Sequence, residues 1–193
     1  MTFSANKSGL AVVVLGGLGL AYPFAVYFSL GRVPAGALVV AAVALVAARL
    51  RLLRRGAASR ALTPALAVVM ASTAGLGMAD AHTAALAYPV LMSLGMAAAF
   101  GLSLLKSPCL VECFAALAEP APSDAARSYM RRVTMVWALF LTVNAGVSAW
   151  TAASGDMALW TLYNGLISYV LMGALFAAEY AIRRRVRLRE AAP

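Results

Sequence analysis

The sequence predicts an all-α fold, a polytopic helical membrane bundle of six transmembrane helices. Three observations carry that expectation. The chain of 193 residues is 63% hydrophobic, with mean hydropathy +0.85 and only 12% charged residues, where soluble domains carry about 25%. Its apolar residues gather into six runs, most of them near the roughly 20 residues that a helix needs to cross a hydrocarbon core. Its cations fall almost entirely at alternate junctions between those runs, the distribution that orients helices in a bilayer. The net charge of +9 therefore does not point to nucleic acid, since no basic stripe continues through a foldable soluble unit.

In chain order, a short polar lead carrying Lys7 precedes the first span, about 9–30. The small residues Gly19-Leu20-Ala21 also suit a cleaved leader. The run continues unbroken through Pro23 to Phe28, so an uncleaved span with a proline kink is expected. Gly31-Arg32 makes a turn, and Pro34 suits the first turn of a second span, about 33–50. Arg49, Arg51, Arg54, Arg55 and Arg60 form the next junction. The third span, about 62–78, holds Ala71 and Gly75 at a small-xxx-small spacing, and the fourth, about 83–105, holds Ala97 and Gly101 at the same spacing. Such pairs let neighbouring backbones approach closely. Asp80 and His82 lie in the turn between them.

Residues 106–132 form the one sizeable loop. Ser107-Pro108 reads as a cap and first turn for a short helix around Cys109–Ala118, broken at Glu119-Pro120-Ala121-Pro122. Ser123 or Asp124 can cap a second helix that runs into the fifth span, about 133–152. The short helix is expected to lie on the membrane surface as a docking site for a partner. Ala153-Ser154-Gly155-Asp156 turns the chain into the sixth span, about 157–182. Every cation except Arg32 then falls on one side, which places both termini in the cytoplasm by the positive-inside rule.

Polar residues deep in apolar runs concentrate in the last two spans. Trp137, Asn144, Ser148 and Thr151 share one helical face of the fifth, and Asn164, Ser168 and Glu179 share one face of the sixth. Paired as an antiparallel hairpin, Thr151 meets Asn164 by depth, Ser148 meets Ser168, and Trp137 lies level with Glu179. These seven residues form the candidate polar groove for a head group or polar acyl moiety. Interhelical hydrogen bonding is the favoured explanation of them. Glu179 stands one turn before Arg183, where an i, i+4 ion pair accounts for it. Trp150 and Trp160 flank the outer turn as interfacial belt residues. Ala21-Tyr22-Pro23 recurs as Ala87-Tyr88-Pro89, which reads as chance in an Ala-rich chain.

No motif for a cofactor or metal appears. Cys109 and Cys113 lack histidines to complete a zinc site, one histidine excludes bis-histidine haem ligation, and no phosphate-binding glycine loop is present. No catalytic residues are expected, and these absences weigh against an enzyme, with a membrane-embedded lipid-modifying enzyme kept as a third reading.

Lys106-Ser107-Pro108, Trp137, Asn144, Trp160 and Asn164 resemble the bacterial intracellular septation protein A family. The fuller pattern is Tyr88-Pro89-Val90-Leu91-Met92 through Trp160-Thr161-Leu162-Tyr163-Asn164-Gly165. It more closely resembles an uncharacterised integral-membrane family encoded among genes for aryl polyene-type lipid pigments in Gram-negative bacteria. That resemblance implies a bacterial inner-membrane protein acting as an accessory or scaffold in cell-envelope lipid biogenesis. The alternative is a small transporter or flippase-like subunit for a lipid-linked product. The expected partners are membrane lipids and a protein of the same membrane, with a homo-oligomer left open.

Overall fold

The structure is a computed structural model that describes residues 17–29, 32–52, 57–116 and 123–190. Its regular elements, among the described residues, are all helices: α1 (17–29), α2 (Ala35–Leu52), α3 (Ala57–Ala79), α4 (Ala81–Ser103), α5 (Leu110–Ala115), α6 (Asp124–Ala153), α7 (Met157–Leu162), a π turn (Tyr163–Ile167) and α8 (Ser168–Glu190). Among the described residues, five helical stretches are long and apolar enough to cross a membrane: α2, α3, α4, α6 and the continuous α7–α8 unit. The sixth expected span, 9–30, lies partly outside the described residues, and its portion 17–29 is helical. Phe28, Leu102, Leu139, Val143, Val170 and Phe176 are each more than half exposed. An outward face this apolar is unfavourable in water and suits acyl chains.

Short connections force antiparallel neighbours. Asp80 alone separates α3 from α4, and its carboxylate accepts from the backbone N–H of His82 at 2.9 Å and of Thr83 at 3.3 Å. A bond from the Thr83 hydroxyl, together with these backbone bonds, holds the Asp80 carboxyl below its ordinary value, and the residue caps α4. Asp156 does the same for α7, accepting from Ala158 N at 2.9 Å and Leu159 N at 3.0 Å. Gly155 before it has φ +74°, a left-handed conformation that favours glycine. These turns mark the acidic end of the bundle. The opposite end carries Arg51, Arg60, Lys106, Arg127, Arg131, Arg132, Arg183 and Arg184, and is the basic end.

Helix α4 is central and packs on α2, α3 and α6. The close approaches fall at other glycines than the spacing predicts. Gly75 and Gly101 face open space, whereas a Cβ on Gly95 would collide with Val69, and one on Gly77 would sit 2.6 Å from Val39 Cγ1. Small-xxx-small spacing identifies a smooth helix face but not which face meets a neighbour.

The loop 106–132 also departs from expectation. Cys109, rather than Ser107 or Pro108, precedes the first turn of α5, and Leu110, Val111, Glu112 and Cys113 are buried. Here α5 packs against α3, α4 and α6 as a plug in the basic end. Leu110 N donates to Ser103 Oγ at 3.0 Å, Cys109 N to Glu112 Oε2 at 3.3 Å, and Arg131 to the Leu104 carbonyl at 2.9 Å. Leu110, Val111 and Cys113 are thus engaged inside the protein, while Phe114 on the same helix is exposed. Burial pushes the Cys113 thiol up, with the neighbouring Cys109 and Glu112 adding to the effect, so neither reactivity nor metal binding is favoured there. Ser123 caps α6 through Ala126 N at 3.2 Å, and α6 runs unbroken for 30 residues.

Candidate functional site

The seven candidate residues divide into two groups. At the acidic half of the α6/α7–α8 hairpin, Asn144, Ser148, Thr151, Asn164 and Ser168 are all buried. The Ser148 hydroxyl donates to Asn164 Oδ1 at 2.6 Å. Asn164 Nδ2 donates to the Trp160 carbonyl at 2.9 Å and to Thr151 Oγ1 at 3.4 Å. The Ser168 hydroxyl donates back to the Asn164 carbonyl at 3.3 Å, and the Thr151 hydroxyl to the Ser148 carbonyl at 2.8 Å. Asn144 is fixed twice, accepting from the Tyr163 hydroxyl at 3.0 Å and donating to Ser93 Oγ on α4 at 3.0 Å.

Asn164 sits inside the π turn, whose wider backbone also brings Gly165 against Phe24 of α1. A Cβ on Gly165 would lie 2.7 Å from the Phe24 ring. Thr151 and Asn164, paired by depth in the sequence, do bond. Ser148 bonds Asn164 rather than Ser168, a shift of one helical turn. The groups satisfy one another, so this half is a closed seam, not a groove. Trp160 is 1% exposed and therefore no belt residue, whereas Trp150 is largely exposed.

Trp137 and Glu179 belong to the basic half, where α6 and α8 diverge. They line a cleft of about 270 Å³ with Tyr129, Arg132, Val133, Val136, Leu175, Ala178 and Ile182. Trp137, which lines it, is held among aromatic rings, 4.4 Å from Phe176 and 6.2 Å from Phe100. Its mouth is charged, with Arg132 on one wall and the Glu179–Arg183 pair on the other, the latter at 2.8 Å. The exposed Val136, Ala178 and Ile182 leave the cleft accessible from outside the bundle. An apolar trough beneath opposite charges accommodates an amphiphile, tail inward and head at the rim.

A further constellation was not visible in the sequence. The two Ala-Tyr-Pro copies meet: the Tyr22 and Tyr88 rings lie 4.6 Å apart, and the Tyr22 hydroxyl donates to the Ala85 carbonyl at 3.2 Å. Arg49, which reads as a loop cation, is half-buried. Its Nη1 lies 3.9 Å from Met92 Sδ, and a Cβ on Gly19 would collide with its guanidinium. The repeated tripeptide was the available signal, since both copies fall at similar depth on antiparallel spans.

No protein-family profile matches the chain, and no curated protein or solved structure does either. Among the described residues, no cluster of histidine, cysteine and carboxylate side chains could hold a metal ion.

Proposed function

We propose that the protein is a bacterial inner-membrane accessory protein of cell-envelope lipid biogenesis, with both termini in the cytoplasm, that holds an amphiphilic lipid in the α6–α8 cleft. The observation that carries this reading is the cleft itself, an apolar trough whose rim presents Arg132, Glu179 and Arg183. Sites of this kind combine apolar walls with a few placed polar groups. The resemblance to the pigment-associated membrane family supports the envelope-lipid assignment, and the clustering of cations at one end supports the orientation. The closed seam above the cleft favours holding over passage: a flippase-like subunit would have to break the Ser148–Asn164–Thr151 bonds at each cycle.

Filling the cleft tests the reading. Ala178→Phe should leave membrane insertion unchanged and remove the lipid that co-purifies with the wild-type protein, measured by native mass spectrometry. In a Trp150→Phe background, lipids brominated on their acyl chains should quench Trp137, and Ala178→Phe should reduce that quenching. Unchanged lipid retention and unchanged quenching would rule the cleft out as the binding site.

A further inference from the structure

The geometry points to a second site, at mid-depth in the membrane, where Arg49 with Tyr88 and Tyr169 binds an oxyanion. At about 1.5 Å per residue, Arg49 lies about 21 Å along α2 from the acidic end. Side chains on a helix lean toward its N-terminus, so this one runs back toward the acidic end and away from the basic surface. A cation escaping the bilayer would extend the other way. Its neighbours fix the depth independently. Met92 is about 17 Å from the acidic end of α4, and Gly19 about 15 Å from the acidic end of α1. In a hydrocarbon core about 30 Å thick, the guanidinium is near the middle. Ionisable groups at that depth are rare and mark functional sites by default.

The surroundings specify the ligand. The Tyr88 side chain is 4% exposed; the Arg49 guanidinium, which can only donate, lies against its hydroxyl oxygen, and the hydroxyl proton has no acceptor among the described residues. The positive charge of Arg49 bears on the hydroxyls of both Tyr88 and Tyr169, and the Tyr169 hydroxyl, like Arg49, lies beside Gly19. Leaving a buried hydroxyl proton without an acceptor is costly, so an unengaged donor beside a guanidinium is explained by a ligand that accepts. Arginine forks and hydroxyl donors together suit phosphate or carboxylate oxygens. Gly19 leaves the room: any larger residue would displace the guanidinium. The site is separate from the α6–α8 cleft and does not depend on lipid binding there.

Two sources could supply such a group, the head of an acidic lipid or a free anion, and two probes separate them. The full chain in phosphatidylcholine nanodiscs is titrated with phosphatidic acid, followed by native mass spectrometry, and with inorganic phosphate, followed by thermal unfolding. Tyr88→Phe should weaken binding about tenfold, the effect of one bond worth about 1.4 kcal/mol. It should leave the ligand-free unfolding midpoint unchanged or raised, because it removes a buried hydroxyl proton left without an acceptor. Arg49→Met should abolish binding, and Ala178→Phe should leave it intact. Dependence on Arg49 and Tyr88 with phosphatidic acid alone assigns a lipid head, and the same dependence with inorganic phosphate assigns a free anion. Binding of neither probe, or binding indifferent to Tyr88→Phe, overturns the proposal. So does a lowered ligand-free midpoint in Tyr88→Phe, which would make the hydroxyl structural.

Discussion

The same two helices behave in opposite ways along their length. Over the acidic half, α6 and the start of the last span are sewn together by Asn144, Ser148, Thr151, Asn164 and Ser168. Over the basic half they part around Trp137 and Glu179. Lipid gives helices no hydrophobic reason to associate, so van der Waals packing and interhelical hydrogen bonds decide where they close. The hydrogen bonds between the two, among the described residues, stop at Ser168, and past that point the contact is aromatic, Trp137 on Phe176 at 4.4 Å. Beyond it, α8 presents mostly exposed apolar side chains, and a cleft opens where no donor or acceptor bridges the gap.

The sharpest way to break this contrast is to remove the seam. Asn164→Leu deletes the partner of Ser148, Thr151 and the Trp160 carbonyl at once. With membrane hydrogen bonds at about 0.6 kcal/mol on average and up to about 1.7, it should cost about 2 kcal/mol in reversible unfolding from bilayers, with insertion intact. A variant as stable as wild type would show that the seam does not hold the hairpin.

Disulfide trapping sharpens the comparison next. In a background lacking Cys109 and Cys113, cysteines replacing Ser148 and Asn164 should crosslink rapidly, and cysteines replacing Val133 and Ile182 across the cleft slowly. Equal rates at both ends would mean that the cleft is closed in the membrane. Asn144→Leu should cost less than Asn164→Leu, about 1 kcal/mol, since it loses only the Tyr163 and Ser93 bonds. The smallest effect belongs to Glu179→Gln. The Arg183 side chain is 36% exposed, and an i, i+4 pair at such a site is worth about 0.3–0.5 kcal/mol. Unfolding should barely change, while retention of lipid in the cleft reports on the charged rim.

Helical identity and the turns were legible because they follow from local rules: apolar run length, and the polar turns at Asp80 and at Ser154-Gly155-Asp156. The polar face of each late span was legible from periodicity. What periodicity could not supply was which neighbour each face meets. Asn144 reaches Ser93 on α4, a helix distant in sequence. Gly95 and Gly77, rather than Gly101 and Gly75, carry the close packing. Trp160 was assigned to the interface by its position near a turn, but it turns inward to pack beside Tyr22 and Tyr88 in the core. Arg49 was misjudged for a related reason. Its position along the chain places its backbone near the end of α2, while its guanidinium reaches Met92 on α4 and Gly19 on α1.

The π turn at Tyr163–Ile167 acts as a phase adjuster for the last span. A wide turn accommodates about one residue more than an α turn, and each residue of an α-helix advances the face by about 100°. Everything after it, including Leu175, Phe176 and Glu179, is therefore set about a quarter-turn back relative to an uninterrupted helix starting at Met157. Fifteen residues of regular α-helix would already bring Asn164 and Glu179 within about 60° of one another, so the π turn adjusts the aim of a face the two residues share rather than creating it. Losing a single residue within this turn would rotate the rim of the cleft by about 100° relative to the seam.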